Sequence, residues 1–494
     1  MSKENSYRQI FKTTSIFGGV QIFNIAINII RSKFIAILLG PGGMGIAGLF
    51  TSTITVITNL TNFGLATSSV KNVAAANSTG DMERVSVVVG VLRRLVWLTG
   101  LLGVIIMLVL APWLSELTFG SRKYTYGFMA LSITLLFTQL NAGQLAVLQG
   151  LRKIQYLAKA DLIGTIMGLI VSVPMYYFWR EQGIVPTIII TSISMVLLSW
   201  YFSSKIKLQK QKITFTLLNT EGREMMTMGF LLSFSGLITL GVAYLVRIYI
   251  SRTGGLEQVG LYNSGFAIIN SYVGLIFTAM ATDYYPRLSA VSSDNKALKN
   301  VINQQGEIAV LIISPIISIF LVYINFIVVL LYSSRFTGVN GMIHWAALGM
   351  IFKAASWSIA FILLAKSDSK VFFWNELANN AYMLVFNLLG YKYGGLNGMG
   401  ISFLAGYVIY FFQVFFLARH RYEFGFFKEF IGIMGIQLVL NVCCFLSVIL
   451  LHHPYNYLAG TFFIALSLAF SIKELNKRLA LTAILKQLKQ KFSK

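Results

Sequence analysis

The sequence predicts an all-α polytopic membrane protein with about 14 transmembrane helices. They are expected as two six-helix bundles related by a parallel pseudo-repeat, plus two extra C-terminal helices. Three observations carry this. Hydrophobic residues make up 56% of the 494 and charged residues only 12%, where a soluble domain carries about 25% charged. The apolar residues gather in runs of helical length, and a membrane-spanning helix needs about 20 of them. Lys and Arg, 40 against 17 acids, fall on alternate loops.

The runs lie near 12–39, 44–70, 86–111, 125–149, 157–178, 184–203, 225–250, 260–285, 301–331, 341–364, 371–390, 397–418, 430–451 and 455–471, each bounded by Gly, Pro or charge. Backbone groups in lipid must be hydrogen-bonded within their own segment, so the runs read as helices. They are too long and continuous for barrel strands, which alternate over about ten residues. The first run follows Lys3, Arg8 and Lys12 as a signal peptide would. It contains Asn24, Asn28, Arg31 and Lys33 with no small-residue cleavage site, and so reads as a mature helix.

With the N-terminus inside, the inner segments hold 30 of the 40 bases. The outer ones hold six: Arg122, Lys123, Arg180, Arg252, Arg335 and Lys392. That asymmetry places both termini in the cytoplasm and accounts for the net charge of +23 without nucleic acid. The two cysteines, Cys443 and Cys444, are adjacent in an apolar run, which excludes a disulfide framework. No metal site or cofactor is expected. No GxxxxGK[ST] loop suggests ATP hydrolysis, and no long outer loop offers room for glycosyl-transfer chemistry. A transporter is expected rather than an enzyme.

The halves match by offset. Arg31 and Arg247 are 216 residues apart, Gly45 and Gly260 215, Lys71 and Arg287 216, and Asp161 and Glu376 215. Phe119–Arg122 resembles Tyr332–Arg335 at 213, the offset that also relates Lys153 to Lys366. The expected organisation is an N-terminal lobe 1–203, a basic linker 204–224, a C-terminal lobe 225–418, two further spans in 430–471, and a tail 472–494. The tail reads as a basic amphipathic helix on the anionic inner leaflet.

Four bases remain at membrane depth: Arg31, Lys33, Arg247 and Lys353. A charge there persists where it meets water, a partner or a ligand. The expectation is a cationic, hydrated cavity shared by the two halves, suited to an anionic amphiphile. Arg clamps a phosphate with paired hydrogen bonds and Lys adds a mobile point charge. Snorkelling is the plainer reading of Arg31 and Lys33. Asp161, Glu376, Glu307 and Asp283 fall in or near spans, either pairing with cations or carrying a proton or sodium ion. Asn24, Asn28, Gln144 and Asn379 are candidate glycan contacts, although amides also bind helices to one another.

The stretch RSKFIAILLGPGGMGIAGLF resembles the first-helix exit of the bacterial O-antigen and enterobacterial-common-antigen flippases, with Lys33 before the turn Gly40-Pro41-Gly42-Gly43-Met44-Gly45. Arg247 matches that family's helix-7 Arg. The segment GMIFKAASWSIAFILLAKSDSKVFFWNEL resembles its tenth and eleventh helices, with Lys353, Lys366 and Glu376 on the Lys, Lys and Glu. The resemblance covers nearly the whole chain. It implies the polysaccharide transporter branch of the multidrug/oligosaccharidyl-lipid/polysaccharide (MOP) superfamily, in the bacterial inner membrane. Such proteins carry an undecaprenyl-diphosphate-linked oligosaccharide across the bilayer by alternating access. The implied partners are that glycan, membrane lipids and a glycan polymerase with its chain-length machinery. Fourteen spans exceed the twelve usual for the O-antigen branch and occur in lipid II flippases. A lipid II-type flippase, a MATE-like multidrug exporter and a membrane glycan polymerase are the alternatives.

Overall fold

The computed structural model describes residues 3–206, 208–209 and 214–479. These residues form helices and no strand: α1 (Lys3–Asn62), α2 (Leu65–Ser78), α3 (Met82–Phe119), α4 (Thr125–Gly150), α5 (Ile154–Trp179), α6 (Ile184–Ser204), α7 (Phe215–Phe266), α8 (Gly274–Ala290), α9 (Asn295–Leu331), α10 (Asn340–Ala365), α11 (Ser369–Tyr422), α12 (Lys428–Leu450) and α13 (Tyr455–Leu479). A π-helical stretch, Ala267–Val273, joins α7 to α8. Residues 207 and 210–213 of the expected linker, and 480–494 of the expected tail, lie outside the described residues.

Nine stretches among the described residues are long and apolar enough to cross a membrane. On α3, Leu98, Ile105 and Val109 turn outward, Val109 with 72% of its surface exposed. An outward apolar face on so many long helices makes this a multi-pass membrane protein.

Several expected spans share one element, because the chain bends at glycine without ending the helix. Gly40 in α1 has φ 65° and ψ −174°, and Gly255 in α7 has φ 85° and ψ 176°. These two glycines are 215 residues apart, the offset found in the sequence. α11 bends likewise at Gly395, φ 55°. Only glycine holds such angles without strain. Pro41 follows Gly40 where its missing N–H leaves no helix bond unmade. The expected span 44–70 is broken at Phe63 and Gly64, with φ 49° and 67°. Here α7 crosses so closely that a Cβ on Gly64 would overlap the Gly229 carbonyl.

The fold divides into two compact units, Met1–Gly260 with Leu331–Arg335, and Leu261–Leu330 with Phe336–Lys494. In the first, Ile46, Phe50, Phe128, Leu131 and Leu135 form one core across α1 and α4. Val85, Val88, Val89 and Leu92 of α3 form another with Leu65, Val73 and Met225. The Tyr244 hydroxyl sits between Thr53 (2.9 Å) and Thr118 (2.6 Å), tying α7 to α1 and α3. Gly45 and Gly260 mark the tightest crossing: a Cβ on Gly45 would overlap the Leu256 carbonyl, and one on Gly260 the Pro41 carbonyl.

In the second unit the core gathers Tyr284, Ile302, Ile359, Ile362, Tyr410 and Val414. The last two helices are held by buried polar contacts. Gln437 of α12 donates to Ser471 of α13 (2.8 Å) and accepts from Ser467 (2.6 Å). Ser318 of α9 donates to Asn441 of α12 (3.1 Å). Near the end of α13, Arg478 donates to Glu307 of α9 and to Glu474, each at 2.6 Å.

The Glu307 side chain keeps 10% exposure, so Arg478→Met strands a buried carboxylate. The expected loss is about 3–5 kcal/mol in thermal unfolding of the purified protein, with much of it restored in the Glu307→Met/Arg478→Met double variant. Gly260→Leu is expected to abolish folded protein on size-exclusion chromatography. Gly236→Ala, where an added Cβ meets nothing within 4 Å, leaves the yield unchanged.

Candidate functional site

In the first unit the polar side chains of α1 meet those of α5. Asn24, 6% exposed, donates through Nδ2 to Asp161 Oδ2 at 2.7 Å. Two turns further along α1, Arg31 donates through Nε to Ser172 Oγ at 3.2 Å. Its guanidinium lies over Gly168, where a Cβ would come within 3.1 Å of Nη1. The glycine thus leaves room for the cation between the helices. Lys33 is half-buried on the same helix and Asn28 is exposed. On α7, Arg247 is half-buried and donates through Nη1 to the Ala243 carbonyl at 2.9 Å, which lays it back along its own helix. Gln144 of α4 has a buried carbonyl oxygen with no hydrogen-bond partner among the described residues.

In the second unit the cation is Lys353 of α10. Its ammonium donates to Asn270 Oδ1 at 2.9 Å, from the π-helical stretch. Three rings surround it: Tyr407 at 5.3 Å, Phe403 at 5.8 Å and Phe277 at 5.9 Å to their centroids. Each ring face attracts a cation at about that range. The amide and the rings hold the charge at a fixed point and leave ammonium protons for a ligand.

Glu376 of α11 lies in a polar cluster. Tyr410 donates to its Oε1 at 2.6 Å, and Asn375 at 3.4 Å. Gln413 in turn donates to Asn375 Oδ1 at 2.8 Å. The Tyr407 and Tyr410 rings, 6.3 Å apart, connect the surroundings of Lys353 to this carboxylate. Asn379, one turn beyond Glu376, has a buried carbonyl oxygen with no partner among the described residues. The remaining acids serve differently. Glu307 is the Arg478 partner described above, and Asp283, with 83% of its side chain exposed, sits 4.0 Å from Arg287 one turn along α8.

The sequence named Asn24 and Asp161 for separate roles, and the structure brings them into one hydrogen bond. It gave no sign of Ser172, Asn270, Tyr407, Tyr410 or Gln413. Tyr407 and Tyr410 are two of 23 tyrosines, most of them in apolar runs, so composition did not distinguish them. The one available signal was the polar pair Asn375-Glu376 inside an apolar stretch.

The model of the polysaccharide biosynthesis protein family matches residues 34–341, well over half of the chain. The chain belongs to that family. The lipid III flippase of Escherichia coli (strain K12) is 21% identical over 410 residues, covering 79% of this chain and 93% of the flippase. The Shigella flexneri lipid III flippase matches equally. Among solved structures, an inward-facing multidrug-resistance MATE transporter of the MOP superfamily has a TM-score of 0.70 at 16% identity. It covers 81% of this chain and 94% of its own. The lipid II flippase MurJ in an inward closed conformation has a TM-score of 0.68 at 14% identity, covering 94% of this chain and 99% of its own. The fold is therefore that of the MOP-superfamily transporters.

Glu376→Leu removes the acceptor of the buried Tyr410 hydroxyl. Its expected effect is a loss of about 1–3 kcal/mol in thermal unfolding, while Glu376→Gln keeps an acceptor and loses less.

Proposed function

We propose that this family member is a flippase for an undecaprenyl-diphosphate-linked oligosaccharide, an O-antigen or related surface-glycan repeat unit. It works in the bacterial inner membrane with both termini in the cytoplasm. The observation that carries the reading is Lys353, a cation held among apolar helices by one amide and three aromatic rings. A charge among apolar helices persists where it meets water, a partner or a ligand, and in this reading an anionic headgroup is the ligand. The likeness to lipid III flippases supports a lipid-linked substrate.

In this reading Arg31, Lys33, Arg247 and Lys353 hold the diphosphate during the cycle. The polyprenyl tail stays in lipid while the sugars pass along polar side chains, which spares their hydroxyls from hydrocarbon. The unpartnered carbonyls of Gln144 and Asn379, with Asn24 and Asn28, are the proposed glycan contacts. Asp161 and Glu376 are proposed to exchange a proton or sodium ion that drives alternating access. Glu307 and Asp283 are assigned to charge pairing. The chain performs transport without covalent chemistry and hands its product to a glycan polymerase. A lipid II-type substrate is a second reading, favoured by the 94% of this chain that the lipid II flippase fold covers.

Complementation of a flippase-deficient strain tests the reading. Arg247→Ala and Lys353→Ala, at wild-type protein level, are expected to lower surface glycan by about tenfold or more, the loss of one charge-assisted contact each. Normal surface glycan from both would remove the diphosphate clamp.

A further inference from the structure

The first turns of α7 have two unlike faces. On one, Gly222 packs on Leu95, Met225 is fully buried, and Gly229 meets Gly64. These residues recur at helical spacing and seat α7 against α2 and α3. The other face carries Asn219, Thr220, Arg223, Glu224, Thr227 and Met228, and these line an open cavity of about 670 Å³. That volume lies within the range of about 300–1,000 Å³ typical of small-molecule sites. None of the six residues entered the sequence-based reading as a site.

The charges along this stretch are not balanced alike. Glu221, beside the groove, is bound by Arg84 at 2.8 Å. Glu224, inside it, lies within electrostatic reach of the same Arg84. Arg223 lines the cavity and has no hydrogen-bond or ion-pair partner among the described residues. A second cation stands at the rim, where Lys71 Nζ of α2 is 4.0 Å from Met228 Sδ. The groove therefore presents a guanidinium with its paired donors open, an ammonium nearby, and neutral hydrogen-bonding groups on Asn219 and Thr227. A planar guanidinium suits a phosphate, and amides and hydroxyls suit sugar hydroxyls.

We propose that this groove is a first docking site for the diphosphate-sugar headgroup of the lipid-linked glycan. Arg223 and Lys71 take the diphosphate, and Asn219 and Thr227 take the first sugar. The proposal rests on the flippase reading above and adds to it a separate capture site. Both cations belong to segments that the charge asymmetry assigns to the cytoplasm, the side on which the substrate is loaded.

The test uses the full chain in phosphatidylcholine nanodiscs, with binding of farnesyl diphosphate read by displacement of its fluorescent analogue. Arg223→Gln and Lys71→Gln are each expected to weaken binding about tenfold, the loss of one charge-assisted contact. Thr227→Trp, which fills the groove at unchanged charge, is expected to weaken it as well. Thermal unfolding of each variant identifies any that fail to fold, and Thr227→Trp and Arg223→Lys carry the test if Arg223→Gln does. Wild-type binding by the groove variants, with binding lost in Arg247→Ala, overturns the docking site and leaves the flippase reading standing. No binding of farnesyl diphosphate to the wild type overturns both. Displacement by inorganic diphosphate as effective as by farnesyl diphosphate would mark a free-anion site and overturn the lipid-docking proposal.

Discussion

The crossing of α1 and α7 at Gly45 and Gly260 is the contact on which the first unit depends. In hydrocarbon an exposed backbone group has no water to bond, so helices meet through their surfaces and the closest meetings need residues without side chains. Here each glycine faces a backbone carbonyl on the other helix, Leu256 for Gly45 and Pro41 for Gly260. Just before each lies a glycine of positive φ, Gly40 or Gly255, at which the helix changes direction. The bend sets the angle of the helix and the next glycine sets its distance. Arg31 and Arg247 stand about two turns ahead of these bends.

Polar groups between the helices fall into two kinds. Those that hold helices together satisfy one another: Gln437 with Ser467 and Ser471, Ser318 with Asn441, and Tyr244 between Thr53 and Thr118. Arg478 and Glu307 do the same with full charges and fasten α13 to α9. Lys353 differs, because its neighbours are an amide oxygen and ring faces. Such a setting steadies a cation while leaving its charge for an anion. The same contrast separates Glu307, closed off by an arginine, from Glu376, held by a phenol and an amide.

The first turns of α7 extend this logic to the helix surface. Its buried side is made of glycine and methionine so that it nests against α2 and α3, and its open side is polar over the same turns. The headgroup docking proposed above rests on that open face, in a member of a polysaccharide biosynthesis family.

Much of this was legible in the sequence, for definite reasons. Apolar runs of helical length and the bias of Lys and Arg between loops are local quantities, so membrane class and helical content follow from composition and order alone. The match of Gly45 to Gly260 was readable as an offset of 215 residues, whereas the bends at Gly40 and Gly255 emerged only in the fold. The intramembrane bases were readable because a charge in lipid is rare. What only the tertiary structure decided is which distant groups meet. Asn24 and Asp161, 137 residues apart, share a hydrogen bond. Lys353 finds Asn270 on a π-helical stretch that no periodicity announced. Glu307, expected either to pair with a cation or to carry an ion, meets Arg478, 171 residues away. Such pairings depend on the rotation of each helix about its axis. Packing against neighbours sets that rotation, and a nearly uniform apolar helix carries almost no amphipathic signal from which to read it.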